Sequence, residues 1–119
     1  MTEATQTPQS GQTTISPDVL LNIAALTALE VDGVSRMSST PGVVDRILHR
    51  GSDNEGVKIE IDHNSVNADI HVILKAEVNI REVSRNIQKE VARAISEMVG
   101  MEPGQINVHI EDIDYDEEV

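Results

Sequence analysis

Two runs of strict alternation constrain this chain more than any other feature. In Val57-Lys58-Ile59-Glu60-Ile61-Asp62 apolar and charged side chains take turns, and after His63-Asn64-Ser65 the pattern resumes. Val66, Ala68, Ile70, Val72, Leu74 and Ala76 fall on one side, and Asn67, Asp69, His71, Ile73, Lys75 and Glu77 on the other. Side chains of a strand point to opposite faces with a period of two. The runs therefore predict an antiparallel hairpin with one face on a core and the other in water.

The cover for that apolar face is written at helical spacing. Ser16 is a natural N-cap, Pro17 sits at the first helical position, and Asp18 favours the positive end of the helix dipole. Val19, Leu20, Ile23, Ala24, Leu26, Thr27 and Val31 give a broad apolar stripe that stops before Gly33, which predicts a helix over 17–31. A second helix opens at Asn79, with Glu82 three residues on as a capping-box partner. Ile80, Val83, Ile87, Val91, Ala94, Ile95 and Met98 repeat at threes and fours until Gly100. Pro103-Gly104 is expected to turn the chain into a last strand, where Ile106, Val108 and Ile110 alternate with Asn107, His109 and Glu111.

Between these elements, Val34 to Met37 reads as a short strand. Val43, Val44, Ile47 and Leu48 after Thr40-Pro41 read as one or two helical turns, and Gly51 to Gly56 as a polar loop. The order α-β-(short α)-β-β-α-β predicts an α+β, two-layer fold. A mixed sheet of three to four strands carries two main helices on one face. Residues 1–13 are too polar to offset chain entropy and read as a disordered tail, ahead of a domain over 14–113. Residues 114–119 belong to a run from Glu111 that holds six acids and no base, and read as an acidic tail.

Composition excludes several function classes. With 119 residues the chain is expected to be one domain, and with one Tyr, no Phe and no Trp its core must be aliphatic. The absence of cysteine removes thiolate chemistry and finger-type zinc sites. A net charge of −12 repels a phosphate backbone, and no aromatic platforms offer stacking to bases. Nucleic-acid binding, conceivable on a KH-like arrangement, is therefore not expected. No apolar run is long enough for a spanning helix and Met1 to Gln12 lacks a signal-type core, so the expectation is a cytoplasmic chain without direct membrane insertion.

No catalytic constellation stands out. The chain has no phosphate-cradling glycine loop followed by Lys, no nucleophile elbow and no His-Glu pair of metalloprotease spacing. It reads as a non-enzymatic protein with no cofactor and no committed metal. An alternative is a small-ligand or metal-binding domain. Asp69 and His71 share the polar face of one strand, and His109 and Glu111 that of another, and if the strands are neighbours the four could converge. Alternation alone already accounts for polar residues at all four positions.

Two candidate interaction surfaces remain. Arg81, Arg85, Lys89 and Arg93 recur every four residues on the second helix, a like-charge spacing that disfavours an isolated helix and fits an acidic surface, either another subunit's acidic tail or anionic lipid headgroups. Ordinary helix solubility, with Glu82, Glu90 and Glu97 nearby, is the simpler account, and the row drifts about 40° around the helix at each step. Val43, Val44, Ile47 and Leu48, flanked by Arg46 and Arg50, form a small amphipathic unit suited to capping the core or to an oligomer contact.

The ordered set of segments resembles a known family. It comprises Ile15-Ser16-Pro17-Asp18-Val19, Glu30-Val31-Asp32-Gly33-Val34, Gly56-Val57-Lys58-Ile59, Val78-Asn79-Ile80-Arg81-Glu82-Val83, Asn86 to Val91, and Gly100-Met101 before Ile106 to Ile110. Together they are similar to the alkaline shock protein, or envelope stress response, family of bacteria, over about residues 14 to 113. Two features differ from the family's usual pattern. Ala76-Glu77 stands where an aromatic-Gly pair is usual, and the basic Gly-rich middle is reduced to Ile47 to Gly51. The resemblance implies a non-enzymatic cytoplasmic protein that reaches the membrane's inner face through a membrane-anchored partner. It also implies homo-oligomers and a role in envelope stress resistance, and brings no catalytic residues with it.

Overall fold

A computed structural model describes residues 12–38, 53–54 and 56–115. Their order is α1 (Pro17–Leu29), β1 (Val34–Met37), β2 (Asp53–Asn54), β3 (Val57–Asp62), β4 (Ser65–Lys75), α2 (Ile80–Ala94) and β5 (Glu102–Asp114). One π-helical turn, Ile95–Val99, prolongs α2. The 43–48 unit lies outside the described residues.

Everything is organised around β4. Its first half pairs antiparallel with β3, from Asp62↔Ser65 to Val57↔Ile70. Its second half pairs antiparallel with β1, from Met37↔Val72 to Val34↔Leu74. Along its other side β5 runs parallel to it from Ser65↔Glu102 to Lys75↔Asp114. The sheet is thus mixed, as expected. The two-residue β2, at the edge of β3, makes it five-stranded and comes from a stretch that reads in sequence as loop.

The alternation of β4 is realised without exception. Val66, Ala68, Ile70, Val72 and Leu74 are buried and the residues between them are not. Both helices cover this face. Ser16 Oγ accepts the Asp18 N–H and Asn79 Oδ1 accepts the Glu82 N–H, so both predicted N-caps form. Leu20, Leu21, Ala24 and Ala28 from α1 meet Val83, Ile87 and Val91 from α2, and no polar or charged side chain is buried among the described residues.

Four details depart from expectation. The first helix ends at Leu29, and Val31 is buried from the turn that follows it. Its apolar stripe is narrower than the composition suggests, because Val19 and Leu26 fall on the side of α1 turned away from the buried Leu20–Leu21–Ala24–Ala28 face, and Leu26 is 61% exposed. Met98 is 69% exposed because the π-turn after Ala94 advances fewer degrees per residue than an α-helix and carries it off the stripe. Pro103-Gly104 does not turn the chain: both lie in β5, with Pro103 at the start of an edge strand, where a missing N–H is tolerated. Asn67 Oδ1 accepts the Gln105 N–H at 2.8 Å where the register shifts between Val66 and Ala68.

Candidate interaction surfaces

The sheet face away from the helices carries the polar alternates of β4 and β5. Because the two strands are parallel and in register there, His71 lies opposite His109 and Asp69 opposite Asn107. The imidazoles stack with centroids 4.4 Å apart and planes 13° from parallel. Each then reaches diagonally across the strand boundary to a carboxylate. His71 Nδ1 is 2.8 Å from Glu111 Oε2, and His109 Nε2 is 3.1 Å from Asp69 Oδ1, an oxygen that also accepts from Asn107 Nδ2 at 3.1 Å. A carboxylate only accepts, so the two contacts assign the proton of His71 to Nδ1 and that of His109 to Nε2. Partial burial pushes the Asp69 carboxyl up. The hydrogen bonds from His109 and Asn107 and the charge of the two imidazoles outweigh it, so the group sits below its ordinary 3.8.

The four residues named in sequence therefore do converge, but as two His–carboxylate pairs. Each ring is committed to a carboxylate of the other strand, and among the described residues no group of three or more His, Cys, Asp or Glu is arranged to hold a metal ion. At the far end of this face Asp114 accepts from Ser35 Oγ at 2.7 Å and Arg36 at 3.2 Å, reaching past β4 to β1. The acid run thus begins with a residue of the sheet. Residues 116–119 lie outside the described ones.

The cationic row of α2 divides in two. Arg81, Arg85, Lys89 and Arg93 are all exposed, but Arg93 turns to Glu90 at 3.8 Å and Glu97 at 3.5 Å. Arg81, Arg85 and Lys89 form no ion pair with another described residue. Arg85 and Lys89 overhang β5 instead, and with Gln88, Ala92, Gly104 and Ile106 they line a shallow groove of about 650 Å³. Gln88 crosses the groove to donate to the Ile106 carbonyl at 3.0 Å. Sequence reasoning missed Gln88 and the groove. Their only signal, the four-residue spacing, does not reveal which strand lies under the helix.

No described helix is long and apolar enough to cross a membrane. Among solved structures, variants of the MamM CTD superpose with a TM-score of 0.55 at 15% identity over 80% of this chain and 95% of theirs, a likeness of fold alone. A nickel form of another variant aligns equally well at 14% identity, with 96% of that chain covered. The protein YqhY of Bacillus subtilis is 30% identical over 108 residues, spanning 89% of this chain and 79% of its own. Spy1535 of Streptococcus pyogenes is 34% identical over 104 residues, spanning 87% and 79%. YloU of B. subtilis is 24% identical over 106 residues, spanning 87% and 88%. The profile of a family with a cell envelope-related function matches residues 5–115, and the chain belongs to that family, the alkaline shock protein 23 family.

Proposed function

We propose that this envelope-related protein is a non-enzymatic binding and self-assembling scaffold, held at the cytoplasmic side of the membrane through a membrane-anchored protein partner. The observation that carries this reading is the groove between α2 and β5. Arg85 and Lys89 stand there without an ion pair among the described residues, on a chain of net charge −12, above the sheet's longest outer strand. Uncompensated cations on an acidic protein favour a surface that supplies the missing carboxylates. Light scattering of the intact chain, with retention of a membrane-integral protein from membrane fractions, tests it. Oligomers and a partner lost on Arg85→Glu with Lys89→Glu support the scaffold. A monomer at high concentration that retains nothing overturns it.

A second reading, a transition metal or small polar ligand on the sheet face, is favoured by the convergence of His71, His109, Asp69 and Glu111. It requires one imidazole to leave the stack. Calorimetric titration with Ni²⁺ or Zn²⁺ separates it from the first. Binding lost on His71→Ala with His109→Ala would support the site, and flat isotherms would remove it.

A further inference from the structure

The direction in which β5 presents its backbone follows from the bonds of β4. The His71 N–H donates to the Gly56 carbonyl at 2.7 Å, its carbonyl accepts from Ser38 at 2.9 Å, and the Lys75 N–H donates to Gly33 at 2.8 Å. The odd residues of β4 therefore face β3 and β1, and the even ones face β5. In a parallel pair with Ile70 opposite Val108, the odd residues of β5, Asn107 and His109, then bond inward. The N–H and C=O groups of Val108 and Ile110 point out of the sheet, as does the Ile106 carbonyl, which Gln88 already occupies. Toward the C-terminus this free window closes at the register shift between Val72 and Ile73. Two residues of backbone, between a capped carbonyl and a bulge, are left without a partner among the described residues.

We propose that two copies of this chain join through their β5 strands, antiparallel about a two-fold axis at His109, continuing the sheet from one copy into the other. The proposal rests on the self-assembly reading and supplies its interface. The axis at His109 sets Val108 opposite the partner's Ile110 and Ile110 opposite the partner's Val108, so each exposed N–H and C=O meets its complement. An axis at Val108 would instead oppose Ile110 to the carbonyl that Gln88 holds, and one at Ile110 would oppose Val108 to the inward-bonded Asp112. On the helix side the half-buried Val108 and Ile110 side chains cover one another across the axis.

Beyond this window Asp112 and Asp114 lie opposite Ile73 and Lys75, on the face away from the helices, and Asp114 already accepts from Ser35 and Arg36. What joins the copies is thus the backbone of Val108 and Ile110 and the apolar cover above it, each made twice over as a two-fold interface requires.

The chain holds no cysteine, so a single introduced thiol can only cross-link two copies. Opposed Cα atoms in a non-hydrogen-bonded antiparallel pair lie about 4.5 Å apart, within disulfide range, whereas Asn107 would stand four residues, about 13 Å, from its own mate. Under mild oxidation His109→Cys should run almost wholly as a dimer on non-reducing gels, and Asn107→Cys almost wholly as a monomer. Val108→Pro, which removes only an outward N–H from an edge strand and so does not burden the fold, should weaken association in sedimentation velocity. If the wild type associates but Asn107→Cys cross-links as readily as His109→Cys, or Val108→Pro associates as the wild type does, the β5 interface is wrong and self-assembly stands. If the wild type is monomeric at every concentration, both fail.

Discussion

Gly56 and Gly100 share a φ of 79°, and the contrast between them measures how tightly the sheet is closed where β3 gives way to β1. Placing a side chain in this left-handed region costs roughly 1–2 kcal/mol for torsional reasons alone. At Gly100, after the π-turn, an added Cβ meets nothing within 4 Å, so Gly100→Ala should cost only that. At Gly56 the same Cβ would lie 2.7 Å from the Ser38 carbonyl oxygen and 2.8 Å from that of His71. The His71 oxygen accepts the Ser38 N–H, the bond that ties the end of β1 to β4, so displacing either residue's carbonyl pulls on that bond. Moving them leaves buried backbone groups unmade, at roughly 1–3 kcal/mol each. Gly56→Ala should therefore cost about 3 kcal/mol or more, against about 1–2 for Gly100→Ala. Urea unfolding of the two variants beside the wild type, followed by far-UV circular dichroism, reads the difference directly. Equal losses would refute the argument, since the torsional part is common to both and only the crowding differs.

Other expectations follow from single residues. Ile87, fully buried between α2 and the sheet, should cost about 2–5 kcal/mol on truncation to Ala, read as a lowered denaturation midpoint at unchanged slope. Asn79→Ala removes the side chain that accepts the Glu82 N–H and should cost about 1 kcal/mol, whereas Asn79→Ser should restore most of it in the same assay. The Asp69 carboxyl is lowered in the folded protein, so its contribution is present above its unfolded value and fades as pH falls through the folded one, below 3.8. Its side chain is 40% exposed, so Asp69→Asn should cost at most about 1 kcal/mol near neutrality and almost nothing in strong acid. A gap in unfolding free energy that stays constant across that range would refute the assignment.

What the sequence made legible depended on how local each signal was. The strands β3 and β4 could be read because alternation is a property of neighbouring residues, and the two caps because Ser16 and Asn79 act within three residues of themselves. The β5 start could not, since Pro103-Gly104 is held extended by groups far off in sequence, the Asn64 carbonyl accepting the Glu102 N–H and the Asn67 side chain accepting the Gln105 N–H. Leu26 and Met98 look like core by composition, and only the placement of α1 and the π-turn expose them. The His71, His109, Asp69 and Glu111 cluster was legible as a neighbourhood, because polar alternates on adjacent strands must share a face. Its diagonal pairing was not, because that depends on the register of β4 against β5.

The same topology that builds the core also places the binding surface. A strand as long as β4, at 11 residues, outlasts the six of β3, and β1 completes that side, which leaves only one side for the last strand. A parallel neighbour needs a crossover, and α2 is that crossover, so it must lie over the β4–β5 pair. Once Val83, Ile87 and Val91 are turned to the sheet, helical geometry fixes Gln88 and Arg85 toward the outer side of β5, and the 40° drift carries Arg93 away to Glu90 and Glu97. The cations over the open edge are thus a consequence of the core stripe on the opposite side of the helix. One helix closes the core with its apolar face and leaves, on its flank, charges that the chain itself does not neutralise among the described residues. That division lets the groove change its occupant without disturbing the packing that holds it in place.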